Sequence, residues 1–449
     1  MRILVVNKFL YPNGGSETYI FGLGRQLEAM GHEVQYFGMD HPDRCVGNTA
    51  GAYTSNMDFH AGVNDTDHGK NSGTSVYGKL KKLTLPIRII YSREARHRIR
   101  QVLDDFKPDV VHLNNINFQI TPSIIYEIRK WDRERSVRSG DQSTGASCKI
   151  IYTAHDYQWI CPNHMMYIPA HDGIKGEICD RCKGGRFIEC TGHNCIHGSK
   201  ARSLIGTIEG YYYKWRKTYA LVDKIICPSR FLYDRFSENP VLKDKLVMMH
   251  NFIEYSDRDI SSYIDTQNSK KGSTFSQIDN PEHRDYVLYF GRFVEEKGVR
   301  TLLEATKQLS DIPFIFAGSG PLEEEVKELA GECSNVEYVG FKTGEELKEY
   351  ISRAAFSVYP SEWYENCPFS VMESISLGTP VLGSDIGGIP ELVNSCGLLF
   401  EPGDITDLSN QLRNMWSDKK LIKELTDKCS KNDFDSLEEY TGKFINLIQ

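Results

Sequence analysis

Short runs of Ile, Val and Leu, unbroken by polar residues and separated by helical stretches, recur along this chain in two series. A sheet with one wet face would alternate apolar and polar residues. Continuous apolar runs instead suit parallel strands covered by helices on both faces. In the first series Arg2–Asn7, His32–Phe37, Asp109–Asn114, Lys149–Thr153 and Lys224–Pro228 read as strands. In the second, Tyr286–Phe290, Pro313–Ala317, Val336–Gly340, Phe356–Tyr359 and Pro380–Gly383 do so, with helices beginning near Gly298, Pro321, Thr343 and Phe369. At 449 residues the chain exceeds what one hydrophobic core supports. Two Rossmann-like, doubly wound α/β domains follow, and such sheets bind ligands at the carboxyl ends of their strands.

The expected domains are 1–255 and 285–435, with 256–284 as linker and an amphipathic helix at 436–449 that can cross back onto the first domain. Gly47–Ser75 and Ser256–Arg284 are rich in Ser, Asn, Asp and Gly and lack periodicity, so the first reads as a mobile surface loop and the second as the linker. The first domain carries an excess of Lys and Arg, the remainder an excess of Asp and Glu, which points to different partners for each. The N-terminal MRILVVNKF turns polar too soon for a secretory signal, and no run of about 18 apolar residues occurs, so a cytoplasmic protein is expected.

Chemistry concentrates after the strands. Tyr286–Phe290 runs into Gly291-Arg292-Phe293-Val294-Glu295-Glu296-Lys297-Gly298, placing two cations beside a helix start. Helix dipole, free amides and cationic side chains all favour a diphosphate there. Further on, Glu365 lies in the loop after a strand and Glu373 on the helix that follows, where carboxylates can accept hydrogen bonds from sugar and ribose hydroxyls.

The Glu365 to Glu373 spacing, followed by Ser-Leu-Gly-Thr-Pro-Val-Leu-Gly-Ser-Asp-Ile-Gly-Gly-Ile-Pro-Glu-Leu-Val over Ser376–Val393, resembles glycosyltransferase family 4. The resemblance runs from Gly14-Gly15-Ser16-Glu17 to the C-terminal helix. It implies the GT-B fold, two Rossmann-like domains facing a cleft, and sugar transfer with retention of anomeric configuration from a nucleotide-sugar donor (UDP- or GDP-sugar) to a glycan or lipid-linked glycan. It also implies roles by position. Arg292 and Lys297 would neutralise the donor diphosphate, Glu373 would hold the ribose and Glu365 the transferred sugar. Asn366, Cys367, Pro368 and Phe369 would lie nearby with their amides, Gly14 and Gly15 would form the loop reaching the donor, and His155 would lie beside the transferred sugar. Asp156 is either the orienting partner of His155 or a capping residue. No cofactor for catalysis and no nucleic acid are expected. A nucleotide-sugar epimerase of the same architecture and a non-catalytic nucleotide-sugar-binding protein are the alternatives, and the intact Arg292, Lys297, Glu365 and Glu373 set argues for transfer. Trp363-Tyr364-Glu365-Asn366-Cys367-Pro368 departs from the Gly-rich Glu-Gly-Phe-Gly of many members, which leaves the donor sugar open.

Two further stretches stand apart. The insertion 161–198 contains Cys161, Cys179, Cys182, Cys190 and Cys195 among the chain's twelve cysteines. A Cys-x-x-Cys followed by two more cysteines within thirteen residues matches a four-thiolate zinc knuckle, so a structural zinc on Cys179, Cys182, Cys190 and Cys195 is expected, with Cys161 as substitute. Within Lys79–Arg100, eight cations face the single acid Glu94, with Leu80, Leu83, Leu85, Ile87, Ile89 and Ile90 among them. Such a mixture can hold an enzyme at an anionic membrane surface.

Overall fold

The computed structural model describes residues 1–56, 87–139, 147–171, 173, 175–254 and 286–449. Among these, the β-branched runs become two parallel six-stranded sheets. The first contains β1 (Arg2–Val6), β2 (Glu33–Phe37), β3 (Val110–Leu113), β4 (Lys149–Thr153), β7 (Lys224–Cys227) and β8 (Leu246–Met248), in the order β2-β1-β3-β4-β7-β8. The second contains β9 (Val287–Arg292), β10 (Phe314–Ser319), β11 (Val336–Gly340), β12 (Phe356–Tyr359), β13 (Val381–Ser384) and β14 (Gly397–Phe400), in the order β11-β10-β9-β12-β13-β14. Between the fourth and fifth strands of the first sheet a small antiparallel hairpin, β5 (Tyr167–Ile168) and β6 (Glu177–Ile178), belongs to the cysteine-containing insertion.

Burial explains which strands were readable. Ile3 to Val6, Val110 to Leu113 and Phe356 to Tyr359 are buried throughout, as strands sandwiched between helix layers require. The sequence-predicted strands recur within one or two residues. The edge strands β8 and β14 are mostly half-buried, so they need no continuous apolar run and gave none to read. In each sheet the order reverses beside its first strand, between β1 and β3 and between β9 and β12. Loops after those strands splay apart and leave a crevice at the carboxyl end.

The helix Leu437–Ile448 packs in the first domain. It starts with a capping box, Ser436 accepting from the amide of Glu439 while the Glu439 carboxylate accepts from the amide of Ser436. Tyr440, Phe444, Ile445 and Ile448 share a core with Tyr19, Leu23, Leu27 and Phe252.

One expectation needs correction. The segment Gly47–Asn56 is not a mobile loop: Thr54 bridges Met39, the Asn48 amide donates to Tyr36 O at 2.9 Å, and Ala52 and Thr54 are buried. The rest of that segment, the linker 256–284 and residues 79–86 of the basic stretch lie outside the described residues. Within residues 87–100 the cations divide, with Arg93 and Arg98 exposed and outside any ion pair among the described residues. Arg88 pairs with Glu94, Arg96 with Glu127, and Arg100 with Asp104, Glu127 and Glu134.

Candidate functional site at the carboxyl ends of the two sheets

On the second sheet, β9 ends in exposed Arg292, whose side chain makes no hydrogen bond or ion pair among the described residues. A single turn, Glu295–Lys297, leads into the helix Val299–Lys307 through Gly298. Gly298 has φ of 67°, and a Cβ there would lie 1.7 Å from Pro360 O, so the β9 and β12 loops touch only because this residue is glycine. That contact brings Lys297 against Glu365, and the two form an ion pair. Glu365 Oε1 also accepts from Ser361 Oγ at 2.9 Å and Trp363 Nε1 at 2.8 Å. Three side chains from two loops thus converge on one buried carboxylate.

Behind this loop, Gly388 N donates to Glu365 O at 2.7 Å, and a Cβ on Gly388 would lie 1.7 Å from Asn366 O. The Gly-Gly pair of the Ser376–Val393 segment therefore seats the acidic loop. The helix Phe369–Ser376 begins after Pro368 with no side-chain cap, leaving its first amides available to an anion. Glu373, one turn into that helix, is half-buried by exposed area, but its carboxylate sits among dense neighbours. Burial first, and nearby Glu254 second, push it up to about 7.

On the first sheet, Gly14 and Gly15 are exposed at the start of the helix Gly15–Ala29. A Cβ on Gly15 would lie 3.4 Å from the Phe369 ring, so this loop faces the start of the other domain's helix. His155 follows β4. Its Nε2 lies 2.9 Å from Asn114 Oδ1, while Asn114 Nδ2 points at the carbonyls of Val6 and His112. An amide oxygen can only accept, so His155 carries its proton on Nε2 and Nδ1 remains an acceptor. Burial lowers its pKa to about 4, against the opposing charge of Asp156, so the ring is neutral at pH 7. Tyr19 lies edge-on to it at 4.9 Å.

Asp156 does not orient His155. Its Oδ1 accepts from the Gln158 amide at 2.9 Å, and its Oδ2 accepts from Asn117 Nδ2 at 3.1 Å and faces His164. Burial would raise this carboxyl, but His164 and the Gln158 amide hold it below its ordinary value. Sequence reasoning missed the network around it. Lys8 donates to Asn117 Oδ1 at 3.1 Å, and Glu17 accepts from Asn7 Nδ2 at 2.7 Å and Ser16 Oγ at 2.8 Å. Asn7 and Lys8 directly follow a strand, which was the available signal.

Asn366 and Cys367 also hold the domains together. Asn366 Nδ2 donates to Ala154 O at 2.8 Å and Ser229 Oγ donates to Asn366 Oδ1 at 2.7 Å. Cys367 is buried, and its carbonyl accepts from Asn251 Nδ2 at 2.8 Å. Their side chains face the opposite domain and not an open donor cleft.

The five insertion cysteines line one cavity of about 260 Å³ between the loop Gln158–Asn163, the insertion and the helix Lys200–Trp215. Cys190 and Cys195 share a hydrogen bond. Gathered though they are, no three Cys, His, Asp or Glu side chains among the described residues are placed to hold one metal ion. The predicted four-thiolate shell is therefore not formed in this arrangement.

Comparison with known proteins agrees with these two halves. The sequence profile of Glycosyltransferase Family 4 matches residues 13–122, and that of Glycosyl transferases group 1 matches residues 271–434. An uncharacterised glycosyltransferase of Methanocaldococcus jannaschii is 27% identical over 235 residues, 51% of this chain and 60% of that protein. The O-antigen chain mannosyltransferase B of Escherichia coli is 31% identical over 133 residues, 28% of this chain and 35% of its own. The matches thus span 60% and 35% of the length of these relatives, under two thirds of each. Among solved structures, sucrose-phosphate synthase of Thermosynechococcus elongatus superposes with a TM-score of 0.57 at 16% identity, covering 99% of this chain and 98% of that one. Anabaena HepE in complex with UDP-glucose does so at 0.57 and 14% identity, covering 100% of both. The two parallel sheets are the GT-B architecture, and the profiles matched over 13–122 and 271–434 are both of glycosyltransferases.

Proposed function

We propose that this chain transfers a hexose-type sugar from a UDP- or GDP-sugar to a glycan or lipid-linked glycan acceptor with retention of anomeric configuration. The observation that carries the reading is the Lys297–Glu365 ion pair, with exposed Arg292 ending β9 and the uncapped helix Phe369–Ser376 following β12, the two strands between which the second sheet reverses its order. Two cations and free amides suit a diphosphate, and two carboxylates suit hydroxyls on either side of it. HepE, of the same fold, is described in complex with UDP and with UDP-glucose.

In the proposed reaction the bond between the anomeric carbon and the diphosphate oxygen breaks as the acceptor oxygen bonds to the same face. The acceptor proton passes to the leaving diphosphate oxygen. Arg292 and Lys297 stabilise the charge that develops there. His155, neutral and held on Nε2 by Asn114, offers an acceptor nitrogen to a hydroxyl and no proton. Glu365 reaches the sugar once the diphosphate draws Lys297 away from it.

A structural zinc on the insertion belongs to the same proposal. It is supported by five thiols facing one cavity, and it requires the sulfurs to draw together by local movement.

Thermal-shift screening against UDP-, GDP- and ADP-sugars, followed by product analysis with an acceptor panel, tests the reading. Stabilisation by none of these donors refutes it.

A further inference from the structure

The helix Lys200–Trp215 is inside out. Its buried positions include Ser203, Thr207, Glu209 and Tyr213, while Leu204, Ile208, Tyr211 and Trp215 are exposed at 45, 46, 39 and 76%. Positions four, three and four residues apart fall on one side of a helix, so the exposed residues form a continuous apolar stripe. Ile188, 55% exposed, extends it, since its amide donates to Tyr211 Oη at 3.2 Å. A water-facing helix has the opposite pattern, and a contiguous apolar patch of this kind marks a contact surface.

Charge identifies the partner. From Ser199 to Lys217 the sequence holds Lys200, Arg202, Lys214, Arg216 and Lys217, and its one acid, Glu209, is buried on the opposite side. Lys200 and Lys217 at the two ends, and Arg186 beside Ile188, make no ion pair among the described residues. Lys214 reaches the carbonyls of Gly184 and Gly185, and Arg216 lies over the Tyr126 ring. Glu189, which follows Ile188 in the chain, faces His193. A second copy docked on this face by a two-fold axis would set these cations against their own equivalents. An anionic bilayer satisfies both features, taking the Leu, Ile and Trp side chains below its headgroups and the cations among them. Tyr211 and Trp215 are the aromatic types that favour such an interface.

We propose that the outward face of Lys200–Trp215, with Ile188, is a docking surface for an anionic lipid bilayer. It stands beside Lys79–Arg100, of which Arg88, Arg96 and Arg100 are engaged by carboxylates while Arg93 and Arg98 are exposed. None of the stripe residues belongs to the donor or acceptor machinery.

Cosedimentation of the full chain with phosphatidylglycerol and phosphatidylcholine vesicles tests this. Wild type is expected to partition at least about tenfold more strongly onto phosphatidylglycerol, and the exposed triple variant Leu204→Glu, Ile208→Glu, Trp215→Glu to lose at least about tenfold of that partitioning. Lys200→Glu with Lys217→Glu should abolish the lipid preference, while thermal unfolding stays unchanged in both variants. Absence of wild-type binding to phosphatidylglycerol overturns the proposal. So does a concentration-dependent dimer of the wild type that the triple variant lacks, which would assign the stripe to a second copy.

Discussion

Lys297 and Glu365, 68 positions apart, form an ion pair in which the carboxylate is buried and the ammonium is partly exposed. The two residues expected to contact different parts of the donor hold each other in this structure. On the proposed function, a diphosphate at Lys297 would compete with Glu365 and free its carboxylate for the sugar, so donor binding would complete the acidic part of the site.

Removing one partner separates these effects. Lys297→Ala should weaken donor binding at least about tenfold, because a charge-assisted contact is worth over about 1.4 kcal/mol. It should also destabilise the empty protein by about 1–3 kcal/mol, since Glu365 is left buried without its cation. Lys297→Met with Glu365→Gln should recover stability and not donor binding. Denaturant unfolding with and without donor reads both, and Arg292→Ala, which breaks no pair, should affect the donor alone.

Two carboxyls with raised pKa values make stability depend on pH. Burial pushes Glu373 up to about 7 and Glu209 up to about 8, above the ordinary carboxylate value. The folded state then holds more protons on these two groups than the unfolded one, so their contribution to stability is full at low pH and is lost as pH rises from about 4.5 to about 8. Glu209 Oε1 has no hydrogen-bond partner among the described residues, so Glu209→Gln leaves the site untouched. It should flatten the fall by up to about 1.4 kcal/mol per pH unit between pH 5 and 8, measured by urea unfolding of the empty protein.

His155 should contribute no ionisation to turnover between pH 5 and 8, because its lowered pKa keeps it neutral throughout. Asn114→Asp replaces the amide oxygen at 2.9 Å by a carboxylate, which favours the protonated ring. A new inflection within that range should then appear in kcat, and it should vanish in Asn114→Asp with His155→Gln.

Purification without chelator should yield one zinc per chain by elemental analysis, released by a thiol-modifying reagent. Cys182→Ser and Cys195→Ser should lose the metal. Metal-free wild type would show that the five thiols are apolar lining for their cavity.

The sequence alone was sufficient for the two series of buried parallel strands, the helix starts behind them, and the positions of Arg292, Lys297, Glu365, Glu373 and His155 at strand ends. These depend on local pattern: a strand covered on both faces must be apolar without interruption, and a loop at its carboxyl end must face the crevice. Partnerships were decided only by tertiary structure. Tyr19 and Tyr440 are 421 positions apart, yet their hydroxyls meet at 2.9 Å and set the C-terminal helix behind the His155 strand. Asn366 bonds to Ala154 across 212 positions, and Lys297 meets Glu365 only because Gly298 lets two loops touch. The helix Lys200–Trp215 has an ordinary amphipathic sequence, and which of its faces meets water was set by the core it packs on. Contacts between distant segments depend on how whole elements close on one another, and no local periodicity records that closure.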